Sequence, residues 1–325
     1  MVYSLDKKKS LSIYRKMQLL RAVEETIASK YHEKKMRCPV HLAIGQEAVS
    51  AAFSEVVKKN DFAMSSHRAH LHFLAKGGSL RAMIAEIYGK KSGCSSGKGG
   101  SMHLIDLKVN FMGSTAIVGN TIPVSAGLAL ASKIKKEKNI TYVFFGDGAI
   151  EEGAFYETVN FAIVKNLPII FVCENNFYSV YTSLISRQPK NRKIFKMVEA
   201  MSIKTFKTDG NDVHKCYETF LNSKNYLIKN NRPIFIEFET YRHLEHCGPN
   251  NDDILDYRSK EEINKWKKKD PLKKFENLLI KKNFLDKQKI YLINNKIKKT
   301  ITLAFDKAEK DKFPKQSDAY KGLYA

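Results

Sequence analysis

Hydrophobic residues recur at helical spacing over residues 13–31, where Met17, Leu20, Val23 and Ile27 form one stripe, and this predicts a helix. Residues 46–57 read as a second helix after the break at Gly45. Between positions 60 and 114 the pattern loosens into a stretch rich in glycine and histidine around one predicted helix, 80–88. The small residues of 124–134 predict a tightly packed, buried helix. The centre is the most regular part. Residues 141–145 are β-branched and aromatic, Gly146-Asp147-Gly148 is a turn, and 154–164 have helical spacing. Residues 167–173 are apolar throughout, as in a strand buried on both faces. A helix over 213–228 and a strand over 233–239 complete the series.

Strands alternating with helices predict an α/β fold: a doubly wound, mostly parallel sheet with helices on both faces. Residues 1–254 read as the main domain. Residues 255–325 read as a C-terminal helical extension of it, with Phe275, Leu278, Leu279, Leu292, Ile293 and Ile297 at helical spacing among lysines.

Composition trims the possibilities. The chain has 325 residues, 43% hydrophobic and 11% aromatic, which excludes a disordered chain. No run approaches the roughly 20 apolar residues of a membrane span. Residues 1–11 lack the apolar core and cleavage site of a signal peptide, so a cytoplasmic protein without membrane attachment is expected. The net charge of +22 invites a nucleic-acid reading, but residues 255–325 hold 20 basic and 10 acidic residues, nearly half of the excess. Those lysines form the solvated faces of amphipathic helices and no nucleic-acid motif accompanies them, so no nucleic-acid partner is expected. The five cysteines are scattered without a Cys-x-x-Cys pair, which suits reduced thiols.

The chemistry concentrates at Gly146-Asp147-Gly148 and, 26 intervening residues later, Asn175-Asn176. Gly-Asp-Gly alone reads as a turn. The compound pattern sets an Asp and an Asn at the carboxyl ends of two neighbouring parallel strands, the crevice where open α/β sheets bind ligands. The glycines let backbone N–H groups approach a phosphate at the start of the following helix. A carboxylate and an amide oxygen beside a diphosphate suit Mg²⁺.

This combination is similar to the thiamin-diphosphate fingerprint. The whole chain resembles the α subunit of the first component of 2-oxo acid dehydrogenase complexes, of the pyruvate or acetoin dehydrogenase type. The resemblance runs through 37–41 (Arg-Cys-Pro-Val-His), 45–48 (Gly-Gln-Glu-Ala), 68–70 (Arg-Ala-His), 97–103 (Gly-Lys-Gly-Gly-Ser-Met-His), 117–119 (Ile-Val-Gly), 174–176 (Glu-Asn-Asn) and 320–325. It implies that Asp147, the side chain of Asn176 and the main-chain carbonyl of Tyr178 hold Mg²⁺ on thiamin diphosphate. It implies backbone donors at Gly148 and Ala149, with Arg68 as the cationic clamp. The backbone at Ala116, Ile117 and Val118 would touch the aminopyrimidine, and His41, His70 and His246 would line the channel of a small 2-oxo acid substrate. The implied reaction is decarboxylation, the acyl unit passing to a lipoyl group on an acyltransferase. The family's aminopyrimidine-facing glutamate comes from a separate β subunit carrying the pyrimidine-binding fold, so an α₂β₂ heterotetramer is expected, 325 residues being enough for only one such half.

Three departures bear on substrate. His67 replaces the usual tyrosine, so one diphosphate contact becomes an imidazole, expected as an imidazolium. Glu245 and Cys247 replace a glycine and a serine in the loop Tyr241-Arg242-His243-Leu244-Glu245-His246-Cys247. Glu151 and Glu152 add negative charge after the Gly-Asp-Gly turn. His103 is expected to order the glycine-rich loop, and His32 and His214 to lie on the surface, while His72 and His243 stay unassigned. No two histidines share a helix at zinc-ligand spacing, so no zinc site is expected. Three alternatives remain at this point: a transketolase-like enzyme acting on sugar phosphates, a biosynthetic decarboxylase or carboligase without a lipoyl acceptor, and a basic non-enzymatic binding protein.

Overall fold

The computed structural model describes residues 5–322; the first four residues of the 1–11 segment and the last three of the 320–325 segment lie outside them. The strands are β1 (Phe62–Ser65), β2 (Phe111–Ser114), β3 (Thr141–Gly146), β4 (Ile169–Asn175), β5 (Tyr178–Ser179), β6 (Thr182–Ser183), β7 (Lys204–Asp209) and β8 (Ile234–Glu239). The helices are α1 (Lys7–Tyr31), α2 (Glu47–Val56), α3 (His70–Lys76), α4 (Leu80–Ile87), α5 (Thr121–Ile134) and α6 (Gly153–Val164). They continue as α7 (Leu184–Arg187), α8 (Ile194–Glu199), α9 (Val213–Asn230), α10 (Lys260–Lys267), α11 (Pro271–Lys281) and α12 (Lys287–Lys310).

Six strands form one sheet in the order β2-β1-β3-β4-β8-β7, every pairing parallel. β5 and β6 make a small antiparallel hairpin beside it. Alternation along the central strands builds two cores. Tyr142, Phe144, Ile170, Val172, Ile234 and Ile236 face one layer, containing α1, α2, α9 and the C-terminal helices. Val143, Phe145, Ile169, Phe171 and Phe235 face the other, containing α5, α6 and α8. The expected doubly wound arrangement is therefore present, and its sheet is wholly parallel.

Other expectations need correction. The loosened 60–114 stretch contains β1, β2 and α3, each too short to leave a periodic pattern. β7 alternates lysine and threonine with few apolar residues, because it is an edge strand. α5 is longer than expected and only one face of it is buried: Ile122, Ala126 and Ala129 pack inward, whereas Val124 and Ile134 are exposed.

The C-terminal helices are anchored by chemistry as well as by apolar contact. Asp270 accepts hydrogen bonds from the backbone N–H groups of Leu272 and Lys273 at the start of α11, next to Pro271. Its other carboxylate oxygen pairs with buried Arg21 of α1 at 3.0 Å, and Arg21 also grips Glu47 of α2. Removing one member of such a buried network strands the others.

Candidate functional site

Connections from β1 to β2 and from β3 to β4 leave the sheet in opposite directions, which opens a crevice at the carboxyl ends of β1 and β3. β1 delivers Ser66, His67 and Arg68 there. β3 delivers Asp147, whose turn precedes α6. Gly146 is in register with Glu174 on β4, so Asp147 and Asn176 emerge along the same edge. A cavity of about 270 Å³ opens on this edge, lined among others by Arg68, Asp147, Gly148, Ala149, Asn176 and Tyr178. His41, His67, His246, Ala116 and Val118 share its lining. Ile117 is not among the lining residues and is 63% exposed.

Arg68 is buried. Its guanidinium donates to the main-chain carbonyls of Leu42 and His246, and it has no carboxylate salt-bridge partner among the described residues. Burial, with Arg242 nearby, pushes its pKa down to about 10. A buried cation satisfied only by carbonyls is suited to an anion. Asp147 is 1% exposed and burial raises its carboxyl pKa, offset by Arg187, which donates to it. Arg187 also pairs with Glu151, which gives the added negative charge at 151 a structural partner. Asn176 accepts through its side-chain oxygen from the Tyr178 N–H at 3.2 Å. A Cβ on Gly148 would lie 2.9 Å from the Ser179 hydroxyl, so glycine leaves the Ser179 side chain its place beside that backbone. Phe177 takes φ +69° between Asn176 and Tyr178, a bend that returns the Tyr178 backbone to the edge.

The histidines divide into two groups. His41, His67 and His246 face one another across ring-centroid distances of 4.7, 5.1 and 5.3 Å. Burial first, and Arg68 next, lower His41 and His246 to about 3 and His67 to about 2. The expected imidazolium at position 67 is thereby corrected to a neutral ring. His70 does not reach the cavity lining; its ring sits between Glu24 at 2.7 Å and Ser101 at 2.8 Å. His72, unassigned from sequence, bonds Ser65 at 2.8 Å, lies 3.1 Å from Glu174 and stacks on Phe144. His103 bonds the Gly99 carbonyl and receives the Ala116 N–H, ordering the glycine-rich loop as expected. His32 is exposed, whereas His214 is half-buried beneath the Leu5 N–H. His243 lies 3.8 Å from Asp270.

The family model described as "Dehydrogenase E1 component" matches residues 15–317. This chain belongs to that family. The pyruvate dehydrogenase E1 component subunit alpha of Rickettsia bellii (strain RML369-C) is 34% identical over 322 residues, 99% of this chain and 98% of the relative. The chloroplastic subunit alpha-3 of Arabidopsis thaliana is 34% identical over 99% of this chain and 76% of its own length. The mitochondrial alpha subunit of Solanum tuberosum is 33% identical over 98% of this chain and 80% of its own length.

As a dehydrogenase E1 component the protein belongs to a thiamin-diphosphate family, and the relatives above are alpha subunits. Its cavity fits such a cofactor: a buried guanidinium lacking a carboxylate, a buried carboxylate beside an amide oxygen, and a glycine backbone meet on one edge. No helix among the described residues is long and apolar enough to cross a membrane. The altered loop of this E1 chain is tightly closed. The Glu245 carboxylate accepts the Asn250 N–H at 2.8 Å, and a Cβ on Gly248 would strike it. Gly248 donates to the Val40 carbonyl at 2.8 Å, which ties the His246 loop to the segment carrying His41. Cys247 is exposed. Gln46 and Met102 lie in motifs read from the sequence but were given no role there, and Arg187 and Ser179, near the cavity, were missed. Arg187 carries no local signal, because it meets Asp147 only after a 40-residue excursion of the chain.

Proposed function

We propose that this E1 subunit serves the decarboxylation of a small 2-oxo acid, pyruvate being the substrate in its relatives' names, and passes the acyl unit to a lipoyl group on an acyltransferase. The observation that carries this reading is the shared cavity of Arg68, Asp147 and Asn176. Asp147, the Asn176 side chain and the Tyr178 carbonyl would hold Mg²⁺, an oxygen donor set of the right hardness. Arg68 and the backbone N–H groups of Gly148 and Ala149 would hold the diphosphate, with His67 beside them, and the backbone at 116–118 would meet the aminopyrimidine. Thiamin diphosphate, when bound, supplies the electron sink for decarboxylation.

The chain's own residues bind, orient and move protons. His41 and His246 would steer the substrate carboxylate and exchange protons at their ring nitrogens. Their pKa values are low partly because Arg68 is adjacent, so an anion neutralising Arg68 brings both closer to the working range. His70 would act behind them, its ring held by Glu24 and Ser101. The β partner would supply the glutamate in an α₂β₂ assembly. Its docking face would include exposed Ile117 and Val118 at the cavity and continue along the outer faces of α5 and α6, where Ile134, Phe161 and Val164 are exposed.

The test is to co-purify the chain with its β partner and assay pyruvate with thiamin diphosphate, Mg²⁺ and an isolated lipoyl domain. Acylation of the lipoyl-lysine is expected. Decarboxylation without it, but with carboligation to an aldehyde, would favour a lipoyl-independent enzyme; the Glu245-closed loop is the observation supporting that second reading.

A further inference from the structure

Three imidazoles from distant segments converge without being tied down. His41 precedes α2, His67 follows β1 and His246 lies in the loop after β8. One ring nitrogen of each lies within 4.8 Å of one from each of the others. Nδ1 of His41 is buried with no hydrogen-bond partner among the described residues. Neighbouring histidines are anchored: both nitrogens of His70 are engaged, His103 bonds Gly99, and His72 bonds Ser65 through Nδ1 while its Nε2, without a hydrogen bond, lies 3.1 Å from the Glu174 carboxylate. Buried imidazoles that serve packing are normally satisfied in that way. Here one nitrogen of each ring comes within 4.8 Å of the other two, and burial keeps the rings neutral, the form that ligates metal.

We propose that His41, His67 and His246 form an inhibitory site for a Zn²⁺-type transition-metal ion, on a part of the shared cavity distinct from the oxygen donors of Asp147 and Asn176. Ligand chemistry divides the two sites: imidazole nitrogen suits Zn²⁺, Co²⁺ and Cu²⁺, whereas carboxylate and amide oxygens suit Mg²⁺. Zn–N bonds of about 2.0–2.1 Å place tetrahedral donors about 3.3 Å apart, so the observed spread closes with small rotations of the half-buried His67 and His246 rings. Three protein ligands leave the fourth position open. Arg68 beside it repels the cation and attracts an anion, so chloride or hydroxide completes the shell. An occupied site takes the imidazoles out of proton exchange, which makes the ion an inhibitor. This inhibition rests on the proposed function; the binding itself does not.

Co²⁺ is the probe, because tetrahedral nitrogen-ligated Co²⁺ has intense visible bands and octahedral oxygen-ligated Co²⁺ has weak ones. The full chain with its β partner, stripped by chelator and held in excess Mg²⁺, is titrated with Co²⁺. One Co²⁺ per α chain with tetrahedral bands is expected, displaced by Zn²⁺. His67→Phe should weaken binding at least ten-fold while Asp147→Asn leaves the bands unchanged. If His67→Phe fails to fold by circular dichroism, His246→Gln replaces it, with the same loss expected. Unchanged bands in a folded histidine variant, or a weak spectrum abolished by Asp147→Asn, would overturn the site. Zn²⁺ filling the site should stop turnover reversibly to EDTA, and full turnover with the site filled would overturn the inhibitory role.

Discussion

Asp147 stands between opposing influences: burial raises its carboxyl pKa, and the Arg187 guanidinium pulls it back. A cation at that carboxylate does what Arg187 does, with more charge. Asp147→Ala should therefore abolish Mg²⁺-dependent binding of thiamin diphosphate in calorimetry, and an unchanged affinity would refute the role given to it. The three facing histidines make a pH prediction. Their folded pKa values, near 3, 2 and 3, lie below the unfolded value of about 6.5. The unfolded chain thus binds more protons between about pH 6.5 and 3, and stability rises with pH through that window. The stability linked to these rings is fully present above pH 6.5 and is lost as the pH falls below it. Melting curves from pH 8 to 5 should show a falling midpoint below 6.5, with a shallower fall in His67→Phe; a flat midpoint in the parent protein would contradict the assignment.

At the level of elements, the long helices and central strands were legible because each repeats its pattern over many residues. α9, β3 and β4 lie within about two residues of expectation, and α1 ends where expected but starts six residues earlier, at Lys7. β1, β2 and α3 were not, since four to seven residues set between functional turns give no period to read. Turn chemistry is local and demanding. Gly45 has φ +99°, and a Cβ there would lie 2.5 Å from the Tyr241 carbonyl oxygen. Gly45→Ala should destabilise the protein by about 2 kcal/mol, measured by denaturant unfolding, because strain and clash combine. α5 and α6 make a different kind of claim. Their carboxyl ends meet where Lys133 bonds the Lys165 carbonyl, so exposed Ile134 and Val164 share one end of the pair. A doubly charged variant, Ile134→Asp with Val164→Asp, should weaken β-partner association at least ten-fold in analytical ultracentrifugation while the melting temperature holds. Unchanged association would move the interface elsewhere.

For the molecule as a whole, the charge of +22 is a surface property, with the C-terminal lysines on exposed helix faces. α12 packs on α1 and α4, far along the chain from the Gly-Asp-Gly turn, and displays Tyr291 and Leu292 to solvent. The relatives are alpha subunits matched over nearly the full chain. The purified chain given thiamin diphosphate and Mg²⁺ should therefore show no turnover until its β partner is added. Robust turnover by the chain alone would sink the two-chain reading.

Short-range chemistry was enough to read the parallel α/β class and the Asp147–Asn176 pair. Each is written in a local pattern of apolar strands, glycine turns and residues at strand ends, whereas Arg68 was picked out only through the family resemblance. Folding alone decided which histidines meet. His41, His67 and His246 are as much as 205 positions apart, and His70, three residues from His67, turns away into a hydrogen-bonded pocket. Folding also gave Arg187 its place on Asp147 and left Arg68 without a carboxylate in salt-bridge contact among the described residues. Ion pairing, burial and metal geometry depend on distances of a few ångströms between segments remote in the chain, and no one-dimensional spacing encodes them.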